Sequence, residues 1–88
     1  MASFRRAEGI LSEVLDGKAA LVNPEGTELV TLNQVGSVVW EALDGERDLD
    51  ALVRAVTAAC ESAEPDVVTA DVSRFLDEMC GLGLVVRM

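Results

Sequence analysis

The sequence predicts an α+β fold: a three-stranded antiparallel sheet followed by three helices, winged-helix-like in layout. Three observations carry this. Between Ile10 and Leu32, short apolar stretches are separated by turn residues; from Asn33 to Leu82, apolar residues recur at helical spacing; and Gly or Pro marks most of the changeovers. With 88 residues the chain has room for one domain with a small core. Residues 1–9, "MASFRRAEG", read as a flexible N-terminal segment and 10–88 as the single folded domain.

The stretches "ILSEVLD", "KAALVN" and "TELVTL" place strands at about 10–16, 18–23 and 27–32. Asp16-Gly17 between the first two is a hairpin signal. In "NPEGT", Pro24 suits position i+1 of a turn and Gly26 a positive φ. In the third stretch Glu28, Val30 and Leu32 alternate with Thr27, Leu29 and Thr31. A meander of three strands needs a covering layer to be stable, and the helices supply it.

Helices are expected over about 33–44, 48–60 and 65–82. Asn33 suits the first N-cap, and Val35, Val38, Val39 and Ala42 form one apolar face, with Trp40 off that stripe beside Leu43. Asp44-Gly45 ends this helix, Gly45 taking the C′ position. Asp48 caps the second, whose face is Leu49, Leu52, Val53, Val56 and Cys60. After the loop "ESAEPD", Pro65 fits the first turn of the third helix, and Glu64 and Asp66 suit its dipole. Its stripe is Val68, Val72, Phe75, Leu76, Met79 and Leu82; Gly81 and Gly83 end it, and "LVVRM" leaves as a short extended tail.

Composition excludes several functions. No apolar run approaches the ~18–20 residues of a membrane span. The N-terminus has no apolar stretch after its arginines, so a cytoplasmic protein with no membrane partner is expected. A net charge of −9 and a pI near 4.2 repel phosphate backbones and anionic lipid, which disfavours nucleic acid and favours a cationic or neutral peptide. There is no His, and the two cysteines, Cys60 and Cys80, make neither a zinc site nor a CxxC motif. They read as buried reduced thiols within helices, and neither metal nor cofactor is expected. Ser12, Ser37, Ser62 and Ser73 have no base at hand, and Gly17, Gly26, Gly36 and Gly45 form no phosphate loop, so catalysis is not expected. Arg74 and Glu78 read as a solvated i,i+4 pair.

Two binding chemistries remain. A helix-turn-helix DNA reader fits the layout, but the third helix sets Arg74 against Asp66, Asp71, Asp77 and Glu78, the wrong charge for phosphates. This leaves an acidic winged-helix adaptor or transcriptional regulator as the alternative. The other chemistry is peptide capture. The strand Thr27 to Leu32 has no proline and one charge, Glu28. If it is a sheet edge, Glu28, Leu29, Val30, Thr31 and Leu32 can accept an added strand; otherwise a neighbouring subunit or the tail covers it.

"LVTLNQVGSVVWEALDGERDLDALV" resembles the signature of the PqqD-like proteins, also called RiPP recognition elements. The matching positions are Leu32-Asn33, Gly36, Val38-Val39-Trp40, Leu43-Asp44-Gly45, Leu49 and Leu52, and Phe75-Leu76 with Gly83-Leu84. The resemblance runs from about Leu11 to Val86 and departs where many relatives have aromatics and this chain has Leu29 and Val30. It implies a non-catalytic protein that binds the leader segment of a ribosomally made precursor peptide. The leader would add to the third strand, pack on the third helix and be delivered to a processing enzyme. That enzyme is a leader protease in lasso-peptide pathways or a radical-SAM enzyme in pathways such as that for pyrroloquinoline quinone. A composition rich in Ala, Val, Leu and Arg and poor in Lys favours the lasso case, and a monomer or weak dimer is expected. Such a helix serves two sides: Val68, Val72, Leu76 and Met79 inward, and Asp71, Arg74, Phe75 and Glu78 one step round, toward the leader. Phe75 reads either as the floor of an apolar pocket or as core.

Overall fold

The chain, described over residues 2–60 and 64–88 of a computed structural model, runs β1 (Ser3–Arg6), β2 (Leu11–Leu15), β3 (Lys18–Val22), β4 (Leu29–Thr31), α1 (Gln34–Ala42), β5 (Arg47–Asp48), α2 (Leu49–Ala59), α3 (Pro65–Gly81) and β6 (Val85–Arg87). Of the expected loop at 61–66, residues 61–63, with Ser62, lie outside the described residues. The fold is α+β, with the antiparallel sheet β2-β3-β4 and three helices.

Local chemistry builds that sheet. Asp16 and Gly17 both have positive φ, 54° and 78°, and Leu15 faces Lys18 across them, as a two-residue type I′ hairpin requires. The second turn is clamped by Asn23. Its carbonyl accepts from Gly26 N–H at 2.9 Å, and its side-chain oxygen accepts from the N–H of Thr27 (2.9 Å) and Glu28 (3.0 Å). Gly26, at φ 72°, supplies the left-handed step. Ala19, Leu21, Val30 and Leu32 share the sheet face turned to the core, while Leu11, Val22 and Leu29 stand in a cross-strand row on the opposite face.

A second sheet, β5-β1-β6, is present that the sequence pattern did not predict. The segment 1–9, expected as a loose leader, contains its central strand. Ser3 and Phe4 pair with Asp48 and Arg47, and Phe4 to Arg6 pair with Arg87 to Val85. Phe4 is buried in the core, and the Arg6 guanidinium donates to the Trp40 carbonyl at 2.6 and 3.1 Å and stacks over its ring. These contacts turn an apparently solvated arginine into a structural residue. The tail is therefore not a cover for β4: it pairs with β1.

The helices differ from expectation in detail. Asn33 caps α1, its Oδ1 accepting from Gly36 N–H at 2.8 Å, and Asp48 caps α2, accepting from Ala51 N–H at 2.9 Å. The buried face of α1 is Gly36, Val39, Trp40 and Leu43, one residue round from the valine stripe; Val35, Val38 and Ala42 are only half-buried. The valines drew the pattern away from Gly36, which has no side chain to signal burial. The helix stops at Ala42 with Leu43 as its C-cap, and Gly45 is not left-handed, because the chain straightens there to bring Arg47 and Asp48 to β1. At the end of α3, Leu84 N–H donates to Met79 O (3.0 Å) and Gly83 N–H to Cys80 O (3.1 Å), with Gly83 at φ 75°. This is a Schellman motif, with Leu84 and Met79 both buried. Leu82, expected on the core stripe, is the exposed C-cap of this motif. Cys60 caps α2 rather than lying within it; both cysteines are free and half-buried.

Candidate functional site

The hydrogen-bond ladder decides which part of β4 is available. Leu32 N–H donates to Ala19 O at 2.8 Å, and Asn23 N–H donates to Glu28 O. With Leu21 facing Val30 midway between them, antiparallel alternation turns the backbone groups of Glu28, Val30 and Leu32 toward β3. Those of Leu29 and Thr31 point the other way, where β4 is the last strand of its sheet. Of the five residues predicted from the strand, two thus present N–H and C=O groups without a backbone partner among the described residues; the other three hold the strand in place.

The edge is rigidly founded. Ser37, buried on the first turns of α1, accepts from Ala19 N–H at 2.8 Å and donates to Leu32 O at 3.4 Å. Its hydroxyl takes the place of the next ladder partner, where the strand gives way to the helix. Asn33 follows as the cap of α1, so β4, its end and the helix form one unit.

At that end lies a cavity of about 160 Å³ lined by Asn33, Val35 and Gly36 of the strand–helix junction and by Asp71, Arg74, Phe75 and Glu78 of α3. All four α3 residues singled out in the sequence are brought together here. Phe75 is half-buried and sits against Gly36, where an added Cβ would come within 2.8 Å of Phe75 Cε1. Phe75 thus packs on the core with one side and lines the cavity with the other. The expected Arg74–Glu78 pair is replaced by Arg74 with Asp71, 2.8 Å apart, one turn the other way. Glu78 has no ion-pair partner among the described residues. The contribution of Asn33, Val35 and Gly36 was missed. An interior helical glycine was the available signal, since it costs helix stability unless something must approach closely.

Charge is unevenly distributed. Four of the seven cations, Arg5, Arg6, Arg47 and Arg87, lie on the second sheet. Only Lys18, Arg54 and Arg74 belong to the rest of the chain, which therefore carries the acidic excess. Among the described residues no group of three or more His, Cys, Asp or Glu is placed to hold a metal ion, and no helix is long and apolar enough to cross a membrane.

Two solved structures share the fold. TbiB1 in complex with the TbiA(beta) leader peptide superposes with a TM-score of 0.80 at 22% identity, covering 92% of this chain and 93% of that one. The PqqD truncation of Methylobacterium extorquens PqqCD, described as a stand-alone RiPP recognition element, gives 0.77 at 18% identity, covering 97% and 89%. No curated protein sequence matches the chain. The family model of coenzyme PQQ synthesis protein D (PqqD) matches residues 18–85, from the second strand of the hairpin to the last strand, and the chain belongs to that family.

Proposed function

We propose that this protein binds the leader segment of a ribosomally synthesised precursor peptide by strand addition to β4, with packing against α3, and delivers it to a processing enzyme. The observation that carries this reading is the outward-facing backbone of Leu29 and Thr31, on an edge that ends at the α1–α3 cavity. Two residues offer up to four backbone hydrogen bonds, each contributing ~0.5–1.5 kcal/mol net. Such bonds hold any extended peptide, so selection falls to side chains entering the cavity, at ~1.5–3 kcal/mol for a large apolar group. The fold shared with a leader-peptide complex supports the reading. Glu28, Val30 and Leu32 act by holding the edge, and Asp71, Arg74, Phe75 and Glu78 by facing the peptide. No step of this function needs catalysis, metal or cofactor from the chain. For the partner enzyme we favour a leader protease of the lasso-peptide type over a radical-SAM enzyme, on the Ala-, Val- and Arg-rich, Lys-poor composition.

Proline substitution tests the strand. Thr31→Pro removes an outward donor and leaves the β3 ladder whole, which an edge strand tolerates. With a fluorescent leader peptide from a candidate precursor, the variant should stay folded and lose binding. Val30→Pro, by contrast, removes a bond to β3 and should lower the melting temperature. Undiminished leader binding by folded Thr31→Pro would place the site elsewhere. The partner is tested by adding the protein to leader protease and precursor, where cleavage should accelerate.

A further inference from the structure

The cavity beside the strand edge contains an aromatic ring, a neutralised guanidinium and one carboxylate left over. Three ionisable side chains line it, Asp71, Arg74 and Glu78. Arg74 is held by Asp71 at 2.8 Å, which leaves the Glu78 carboxylate without an ion-pair partner among the described residues. Phe75 lies one turn before Glu78 and its ring is backed by Gly36. A carboxylate beside an aromatic surface matches a side chain that is apolar along its stem and cationic at its tip. The space of about 160 Å³ is on the scale of one long side chain. The net charge points the same way, because the elements outside the second sheet hold only three of the seven cations and most of the acids. An acidic side chain entering here would meet Glu78 and find Arg74 already paired.

We propose that the α1–α3 cavity selects a lysine or arginine of the bound peptide, its stem on Phe75 and its charge at Glu78. The proposal rests on the strand-addition reading and adds what that reading leaves open, the chemistry of the residue the cavity takes. In it Arg74 serves to neutralise Asp71.

The test uses a displayed library of random twelve-residue peptides, selected in parallel on the full-length protein and on Glu78→Gln and Glu78→Lys, with thermal melts showing that all three are folded. Wild type should enrich Lys or Arg at one position fixed relative to an apolar anchor. Replacing that residue by alanine in a resynthesised peptide should weaken binding roughly tenfold, the scale of an exposed ion pair plus a cation–ring contact. Glu78→Gln should lose the preference, and Glu78→Lys should turn it to Asp or Glu with the apolar anchor unchanged. Identical preferences in all three proteins, or acidic residues enriched by wild type, would overturn the proposal alone. If no peptide binds wild type, or if the selected peptides bind Thr31→Pro equally well, strand addition itself falls and the proposal with it.

Discussion

The sheet β2-β3-β4 is made of two consecutive hairpins, whereas β5-β1-β6 gathers a strand from each end of the chain and a two-residue strand from its middle. The first keeps an open edge at β4; the second holds four arginines and ties the termini together. The difference separates two tasks. Local turns fix the strand register that presents an edge, and long-range pairing closes the chain behind it, so the edge itself has no structural bond to give up when a peptide arrives.

This contrast can be broken first at Phe4. If the second sheet is part of the core, Phe4→Ala should cost ~3–5 kcal/mol, a large share of the ~5–15 kcal/mol of a small domain, and the thermal midpoint should fall steeply. An unchanged midpoint would return residues 1–9 to the status of a loose leader. Next is the tie between the hairpin sheet and α1. Ser37→Ala leaves Ala19 N–H buried without a partner and should cost ~1–3 kcal/mol in urea unfolding. A neutral result would mean that another acceptor replaces the hydroxyl.

Gly36→Ala sharpens the contrast between holding the fold and serving the site. Helix propensity favours alanine by ~1 kcal/mol, while the new methyl must displace the tip of the Phe75 ring. Stability should therefore move by less than about 1 kcal/mol, and leader affinity should fall by roughly tenfold as the ring shifts into the cavity. Unchanged affinity would remove Phe75 from the site. The smallest effect is expected of Arg74→Ala. Its ion pair with Asp71 is exposed and contributes ~0–1 kcal/mol, so the melting curve should barely move. A drop of several degrees would show that the pair braces α3.

The same contrast explains what could be read from the sequence. Asp16-Gly17 and Asn23-Pro24-Glu25-Gly26 carry their turn chemistry within four residues, so the hairpin sheet was visible before the structure. Phe4 pairs with Arg47 and Arg87, far apart in sequence, and strands of two to four residues are too short to show a period. In the cavity, Asp71, Arg74, Phe75 and Glu78 were legible because they flank a strong core stripe on one helix. The wall from Asn33, Val35 and Gly36 was not, because it depends on how α1 meets α3. The Arg74–Asp71 pairing was hidden too: sequence spacing allows either neighbour, and the choice is made by rotamer and surroundings.

Ser3 and Met88 exchange backbone hydrogen bonds, Met88 N–H donating to Ser3 O at 2.8 Å. A short linker across that gap would make β6 and β1 a hairpin, and new ends opened at Asp16-Gly17 would leave β2 and β3 to find each other across almost the whole chain. The β2-β3 and β1-β6 pairings would then trade places in contact order, while β3-β4 stays local and β1-β5 long-range, and loops that close locally form first. Which of these two hairpins forms early is thus set by where the polypeptide is cut, while the finished edge at Leu29 and Thr31 would be the same in both connectivities.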